Sequence, residues 1–320
     1  MNFRTLDLNL LRVFDAVMAE GSLTRAAQVL AMTQPAVSHA MKRLHDAVGE
    51  SLFDRSAHGM KPTARALALW PQVRGALAGL QQALAPAVFE PERDGANFRL
   101  AMADATAALL LPPLVSAFEK QRALANIRVL PLATRDPRAL LEHGDCDLAL
   151  GYFPEAIAHI DAQGADATLH HRRLSQTRYV CVMRRGHPLA GGAELDLDTY
   201  CAAPHLLVSF SGRPHGFVDQ ALAGLGRQRR IVLTVNQFFT AGRVVTRSDL
   251  LTVLPLSFVA ATGFQTELVT RELPFELGRV HVEMLWHLRR DADPAHRWLR
   301  GLIEQNEREG EGEGEGAGSG

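Results

Sequence analysis

Residues 21–44 read GSLTRAAQVLAMTQPAVSHAMKRL, and this stretch decides the fold of the first part of the chain. Ser22 precedes a run of apolar residues at helical spacing, and serine is a favoured helix N-cap. After a tight turn, Thr33 is the next cap, and Pro35 falls in the first helical turn, where its missing N–H costs nothing. The pattern therefore predicts two short helices joined by a turn, the second of which ends at Gly49.

The second of these helices has two unlike faces. On a helical wheel its apolar residues fall in one arc of roughly 100°, and polar or cationic residues lie opposite them. Taken alone, this pattern favours an ordinary solvated face; after a short capped helix and a turn, it indicates a helix-turn-helix whose polar face enters the major groove of DNA. The residues that we predict to contact DNA from these helices are Arg25, Thr33, Gln34, Pro35, Ser38, His39, Lys42 and Arg43.

The next segment, residues 51–62, reads SLFDRSAHGMKP and predicts two short strands around a turn that contains glycine. Such a wing can reach backbone phosphates or the minor groove with Arg55, His58 and Lys61. The net charge of the whole chain is only −1. The position of the basic side chains on these elements, rather than their number, therefore carries the prediction of DNA binding.

A long helix is predicted from Thr63 to about Ala87. Its apolar residues alternate in steps of four and three, which is the spacing of a coiled-coil seam. A single helix cannot bury such a stripe, so we expect the same helix of a second copy to cover it. Pro71 is expected to kink or interrupt the helix. The predicted dimerisation residues are Trp70, Val73, Leu77, Leu80 and Leu84.

Strand and helix patterns alternate from Phe98 to about Leu302, which predicts an α/β domain with mainly parallel sheets. The candidate strands are Phe98–Ala103, Ile127–Leu132, Asp147–Leu150, Tyr179–Arg184, His205–Val208, Ile231–Val235, Leu250–Leu254, Leu268–Leu273 and His281–His287.

The predicted organisation thus combines an α-helical part with an α/β part. We assign 1–62 to a winged helix-turn-helix domain, 63–90 to a linker and dimerisation helix, and 91–306 to an effector-binding domain. Its first lobe is placed at about 91–168 and 268–306, and its second lobe at about 169–267. The Glu-Gly-rich tail, 307–320, is predicted to be disordered because its composition cannot build a core.

Composition and motifs exclude several other classes of protein. The hydrophobic share of 47% and the charged share of 22% are ordinary for a globular protein. No stretch approaches the ~20 apolar residues of a membrane helix, and no secretory signal is recognised. Three dispersed cysteines fit a reducing cytoplasm. We find no catalytic constellation, metal-ligand spacing or cofactor motif, so we expect no enzyme activity, no metal and no cofactor.

Three motifs in this order and spacing resemble the DNA-binding domain of the LysR-type transcriptional regulators. They are GSLTRAA at 21–27, TQPAVS at 33–38 and LFDR at 52–55. The resemblance implies a winged helix-turn-helix, a long dimerising helix and a two-lobed effector domain like a periplasmic binding protein. It also implies a homodimer or homotetramer on inverted-repeat sites in double-stranded DNA. RNA polymerase is expected as a further partner, because effector binding is expected to alter DNA bending and polymerase contact.

The C-terminal part resembles one branch of that family more loosely. The segments YVCVMRRGHPL at 179–189, APH at 203–205 and SDLLTVLP at 248–255 are similar to regulators of nodulation and of aromatic-compound degradation. Another branch senses peroxide through a cysteine beside a histidine. In this chain Gly216 stands where the reactive thiol would be, so a peroxide switch of that type is not expected.

Candidate effector-binding residues follow the predicted strands, because ligands of open α/β sheets bind beyond the carboxyl ends of the strands and near helix N-termini. A flat ligand could lie between aromatic rings, with Arg213 or Arg135 pairing with a carboxylate. Core packing of the phenylalanines is the simpler alternative, and Asp104 would repel a carboxylate beside it. The predicted residues are Asp104, Thr106, Thr134, Tyr152, Ser209, Phe210, Arg213 and Phe238.

Together these patterns predict a sequence-specific transcription regulator whose small-molecule effector, an aromatic or other organic acid, binds between two lobes. Two alternatives remain open at this stage. A small-molecule enzyme fused to a DNA-binding module would need an acid, base or nucleophile set that the sequence does not reveal. A DNA-binding regulator without a ligand would use the same fold with no functioning pocket.

Overall fold

The computed structural model describes residues 6–56, 59–84, 88–191 and 194–316. These residues form two compact units that divide near residue 86. The elements of the first unit are α1 (Asn9–Glu20), α2 (Leu23–Val29), α3 (Gln34–Val48), β1 (Phe53–Ser56), β2 (Gly59–Pro62) and α4 (Ala64–Leu84). No described helix is both long and apolar enough to cross a membrane.

Short-range chemistry sets the ends of the first three helices. The Ser22 Oγ accepts a hydrogen bond from the Arg25 N–H, and the Thr33 Oγ1 accepts one from the Ala36 N–H, both at 3.4 Å. Gly49 ends α3 in the left-handed region at φ 79°. The apolar faces of α1 and α3 then bury Phe14 and Leu44 completely. The predicted helix-turn-helix is confirmed.

The long helix α4 departs from its prediction in its partner. It continues through Pro71, which excludes a break at that residue and leaves the predicted kink as the alternative. Its first turns also pack on the same chain: Val73 is buried, and the Trp70 indole N–H donates to Asp15 Oδ1 at 2.8 Å. Leu80 and Leu84, in contrast, are exposed. Heptad spacing does not show whether an apolar stripe is covered by the same chain or by a second copy. For this reason the sequence assigned to a dimer contacts that the first turns of α4 make within the chain.

The second unit alternates strands and helices, as the sequence predicts. In chain order they are β3 (Ala96–Met102), α5 (Asp104–Lys120), β4 (Ala125–Pro131), α6 (Arg138–Glu142), β5 (Leu148–Gly151), α7 (Pro154–Gln163), β6 (Leu169–Thr177), β7 (Tyr179–Arg184), α8 (Leu197–Ala202), β8 (Pro204–Val208), α9 (Phe217–Gly224), β9 (Arg230–Val235), α10 (Phe238–Val245), β10 (Thr252–Pro255), α11 (Leu256–Ala261), β11 (Leu268–Arg271), β12 (Val280–His287) and α12 (Pro294–Gly316).

The strands of this unit build two lobes. Lobe I contains a five-stranded sheet in the order β4-β3-β5-β12-β6, and lobe II contains the sheets β10-β7-β11 and β8-β9. The pairs of β3 with β4 and β5, and of β8 with β9, are parallel. The pairs made by β12 and by β7 are antiparallel. The five-stranded sheet is therefore mixed, β10-β7-β11 is antiparallel and β8-β9 is parallel, which corrects the expectation of mainly parallel sheets.

The two boundaries between lobe I and lobe II also differ from the predicted ones, because they depend on strand pairing. Strand β6, which the sequence pattern did not identify, pairs with β12 in lobe I, and β11 pairs with β7 in lobe II. The chain thus crosses between the lobes after β6 and again between β11 and β12, about ten residues away from the predicted limits. Strand pairing is a long-range property, and the polar run HHRR at 170–173 carries little apolar alternation.

The C-terminal helix also extends further than predicted. Disorder is predicted from residue 307, whereas α12 runs to Gly316. The beginning of α12 is anchored because Leu299 and Ile303 are buried in lobe I. Helix propagation from an anchored segment costs far less than nucleation, and this explains how the helix continues into a glycine-rich sequence.

Candidate functional site

The polar face of α3 is presented to solvent as a single surface. The residues Val37, Ala40, Met41 and Leu44 are buried against α1 and α2, and they fix the rotation of the helix. All the residues predicted on the opposite face are exposed, namely Gln34, Pro35, Ser38, His39, Lys42 and Arg43. The structure therefore brings hydrogen-bonding and cationic groups together on one exposed helix face, the arrangement that enters a major groove in helix-turn-helix proteins.

Three of the predicted contact residues already have partners within the chain. Thr33 caps α3, Arg25 donates to the Glu20 carbonyl, and Arg43 lies 3.2 Å from Asp7. Asp7 was not predicted as the partner of Arg43, because it precedes α1 and no sequence pattern there indicates a contact with α3. In the described part of the chain, no carboxylate pairs with Lys42, so its ammonium group is available to a phosphate or a base.

The predicted wing is an antiparallel hairpin of β1 and β2. Its register places Arg55 opposite Met60 and Asp54 opposite Lys61. The Lys61 side chain is exposed. His58, the third predicted wing residue, lies outside the described residues. The hairpin follows α3 directly, which is the order of a winged helix-turn-helix.

A cavity of about 600 Å³ lies between the two lobes of the second unit. The lining residues on α5 run from Ala105 to Pro113, which corresponds to about 12 Å along the helix at 1.5 Å per residue. The other walls come from the ends of β4 and β5, the crossover strands β6 and β12, the start of α10, α11, and residues 306, 307 and 309 of α12. Of the predicted effector residues, Thr106, Tyr152, Phe210 and Phe238 line it.

Arg135 is the only cationic residue among the described residues that line this cavity. Its guanidinium carbon lies 5.4 Å from the ring centroid of Phe210 and 4.9 Å from that of Phe217. Phe210 in turn meets Phe238 edge-on, with centroids 6.0 Å apart. Contact with the ring faces positions the guanidinium, and no described residue accepts a hydrogen bond from its N–H groups.

Tyr152 adds a polar group to the same aromatic wall. Its ring meets Phe217 edge-on at 6.5 Å between centroids. Burial and the neighbouring Tyr179 raise the pKa of the Tyr152 hydroxyl, so it stays protonated and can donate a hydrogen bond. The aromatic wall thus offers one cation and one hydroxyl donor between apolar rings.

The crossover strands contribute polar groups that the sequence did not reveal. Ser175, Gln176 and Thr177 of β6 line the cavity, and the Thr177 hydroxyl lies 3.2 Å from that of Ser257 at the start of α11. The sequence prediction placed ligands beyond the ends of predicted strands, whereas these are the last three residues of β6, a strand that the pattern did not predict. Only the pairing of β6 with β12 places them beside the cleft.

Four predicted effector residues are not among those that line the cavity. The Asp104 carboxylate accepts hydrogen bonds from the Phe238 and Phe239 N–H groups. Thr134 Oγ1 accepts one from the Asp136 N–H, and the backbone of Ser209 continues the pairing with β9. Arg213 is exposed on the loop before α9. Between the two arginines that could hold a carboxylate, the geometry favours Arg135.

The environments of the thiols and of two histidines are those of structural residues. Cys146 and Cys181 are buried, and burial raises the pKa of each thiol to about 12. His171 lies between Asp161 at 3.1 Å and Glu283 at 3.2 Å, whereas the neighbouring His170 stacks on Trp286. Within the described ranges, no group of three or more His, Cys, Asp or Glu side chains is arranged to hold a metal ion.

An exposed recognition helix with a wing, followed by a two-lobed domain with an interlobe cavity, defines the class of ligand-responsive DNA-binding regulators. Comparison with known families agrees. Residues 8–67 match the family described as "Bacterial regulatory helix-turn-helix protein, lysR family", and residues 92–308 match the "LysR substrate binding domain". The chain therefore belongs to the LysR family of transcription regulators and binds DNA through its helix-turn-helix.

Individual relatives cover nearly the whole chain. The HTH-type transcriptional activator NagR of Ralstonia sp is 34% identical over 95% of this chain and 98% of its own length. Nodulation protein D 2 of Sinorhizobium fredii is 30% identical over 95% of both chains. The crystal structure of the probable transcriptional regulator PA0477 from Pseudomonas aeruginosa is 29% identical, with a TM-score of 0.72 over 94% of this chain and 97% of that one. The resemblance to the branch with nodulation regulators is confirmed.

Proposed function

We propose that this regulator responds to a small organic acid, of which aromatic acids fit best, bound in the interlobe cavity. The observation that carries the proposal is Arg135, the one cation among the described residues that line the cavity, whose guanidinium carbon lies within 5.4 Å of two phenyl ring centroids. A carboxylate accepts paired hydrogen bonds from a guanidinium edge, and a flat apolar ring fits between aromatic side chains. The volume of about 600 Å³ also suits a small molecule.

The regulator is further proposed to act in the cytoplasm as a homodimer or homotetramer on inverted-repeat operators. Leu80 and Leu84 support this assembly, because large apolar side chains at the end of α4 are exposed in the single chain. A second copy of α4 would cover them. NagR is named as a transcriptional activator and PA0477 as a probable transcriptional regulator, which supports a regulator in preference to an enzyme.

Effector binding is tested with the full chain and a panel of aromatic acids, each paired with its neutral amide. A ligand at a hundred times its dissociation constant adds about 2.7 kcal/mol of stability, so a thermal-shift assay detects it. We expect acids to stabilise the protein more than their amides. Arg135→Met should weaken acid binding by about 10–150-fold, because a charge-assisted hydrogen bond contributes about 1.5–3 kcal/mol.

The matched control is Arg213→Met, which removes an equal charge from an exposed side chain that does not line the cavity. Acid binding should be retained in this variant. Equal losses in the two variants would show that the acids respond to the overall charge of the protein. An unchanged response in Arg135→Met would refute the role of Arg135.

Substitutions in α3 and in the wing are expected to impair DNA binding in different ways. Gln34→Ala removes a side chain from the exposed face of α3 and should cost about 1–3 kcal/mol of discrimination between operator and random DNA. Lys61→Ala removes a predicted phosphate contact, so it should weaken binding to both DNAs similarly. It should also reduce the salt slope by about 1.

Both constants are measured by fluorescence anisotropy at several salt concentrations. Glu50→Gln, which alters an exposed acid between α3 and the wing, serves as a control for nonspecific charge effects. If Gln34→Ala weakened operator and random DNA to the same extent, Gln34 would not read a base.

A further inference from the structure

Asp104 connects the two lobes beside the cavity. It is the first residue of α5 in lobe I, and its Oδ1 and Oδ2 accept hydrogen bonds from the Phe238 N–H at 3.0 Å and the Phe239 N–H at 2.8 Å. These are the first two amides of α10 in lobe II. Among the described side chains, the N-cap residue Gln237 forms no capping bond of its own. The start of α10 is therefore capped by a carboxylate from the other lobe.

The same carboxylate also lies in the first turn of its own helix. Ala103, the N-cap of α5, has no side chain that can accept a hydrogen bond, and Asp104 is the acidic residue of that turn. The N-terminus of a helix carries partial positive charge and attracts anions. Two helix starts, one from each lobe, thus converge on Asp104, while Ala103, Ala105 and Phe238 line the cavity beside it.

We propose that Asp104 determines which charges the cavity accepts at the start of α10, a proposal that rests on the effector site proposed above. The acidic residues that line the cavity itself, Glu307 and Glu309, belong to α12. The Asp104 carboxylate occupies the position at the start of α10 where an anionic effector would otherwise bind. An acidic effector is therefore directed to Arg135, which contacts Phe210 in the same aromatic wall. Removing Asp104 eliminates a like charge and opens two amide donors at the edge of an aromatic wall, which creates a second anion position.

The test uses the full chain, with Asp104→Ala as the main variant and Asp104→Asn as a conservative variant that keeps an acceptor oxygen. Asp198→Ala is the charge-matched control, since Asp198 is exposed in the first turn of α8 and pairs with Arg227 rather than with the cavity. Hydrogen exchange of residues 237–241 is measured without ligand. Dissociation constants for benzoate and benzamide are measured by calorimetry.

We expect the Phe238 and Phe239 amides of Asp104→Ala to exchange about tenfold faster than in the wild type, because each loses a charge-assisted hydrogen bond. The preference for benzoate over benzamide should rise about tenfold in Asp104→Ala. It should rise less in Asp104→Asn, whose amide group still blocks the helix start. Asp198→Ala should match the wild type in both measurements.

Two results would overturn the proposal. The first is unchanged exchange in residues 237–241 of Asp104→Ala. The second is a preference for benzoate in Asp104→Ala that does not exceed that of the wild type, including failure of both probes to bind. The proposed function fails separately if the wild type and Arg135→Met respond alike to every acid while Asp104→Ala gains benzoate binding.

Discussion

Replacing Arg229 with methionine is expected to lower the free energy of unfolding by about 3–5 kcal/mol, because it leaves a partly buried carboxylate without its counter-charge. Arg227→Met, two residues earlier, should lower it by less than about 1 kcal/mol. The Arg227 side chain is 45% exposed in its pair with Asp198, whereas that of Arg229 is 1% exposed. The two variants therefore compare an exposed and a buried ion pair in one loop.

The geometry around Arg229 explains the size of this effect. Its Nε lies 2.8 Å from Asp219 Oδ1, and one of its terminal nitrogens donates to the Tyr200 hydroxyl at 3.1 Å. Asp219 Oδ2 also accepts the Gly216 N–H at 2.7 Å. Burial acts to raise the pKa of the Asp219 carboxyl, but the hydrogen bond and charge of Arg229 outweigh it and hold that pKa below its usual value.

Urea unfolding of the wild type, Arg227→Met and Arg229→Met at neutral pH measures both losses of stability. The effect should extend to ligand binding, because α9 begins at Phe217, whose ring contacts the Arg135 guanidinium in the cavity wall. Asp219→Asn combined with Arg229→Met should recover part of the stability, since the double variant leaves no unpaired charge. Equal and small losses for Arg227→Met and Arg229→Met would contradict the importance of burial.

Acidification from pH 6.5 to pH 4 should destabilise the protein before most of its carboxylates titrate. His205 and His296 are fully buried, and burial lowers the pKa of each to about 4. Each ring donates from Nε2 to a backbone carbonyl, at 2.8 Å and 3.0 Å respectively. The unfolded chain therefore binds more protons than the folded chain in this interval, and stability is lost as the pH falls.

The expected loss is on the order of 3 kcal/mol for each histidine between pH 6.5 and pH 4. Urea unfolding at half-unit pH intervals measures this slope in the wild type, His205→Gln and His296→Gln. Glutamine can keep the bond to the carbonyl but does not titrate, so each variant should be less stable at pH 7.5 yet show a shallower slope. A slope that is unchanged in both variants would assign the acid sensitivity to other groups.

The N-terminal unit was predictable because its signals are local. Ser22 and Thr33 cap the helices they precede, and Gly49 ends α3 in a conformation that suits glycine, so each boundary depends on residues within one turn. The buried face of α3 follows in the same way from helical periodicity. The partner of α4 could not be predicted from local signals, because the apolar stripe of this helix could be covered either by α1 or by a second chain.

The cavity was predictable only in part. Tyr152, Phe210 and Phe238 line the cavity, and each follows a predicted strand: β5 of lobe I, and β8 and β9 of lobe II. The residues of β6 were missed because their position depends on pairing with β12, more than one hundred residues later in the chain. Phe238, whose N–H donates to Asp104, is also more than one hundred residues away in sequence. No local pattern indicates that the Asp104 carboxylate is already bound.

The unequal burial of the three thiols has a practical consequence for spectroscopy. Cys146 and Cys181 are enclosed and remain protonated at neutral pH, whereas Cys201 on α8 is partly accessible. Burial raises the pKa of the Cys201 thiol as well, so it is accessibility that should direct a maleimide fluorophore to Cys201. The natural sequence therefore supplies a selective labelling site on lobe II, and its emission could follow lobe movement during titration with a ligand.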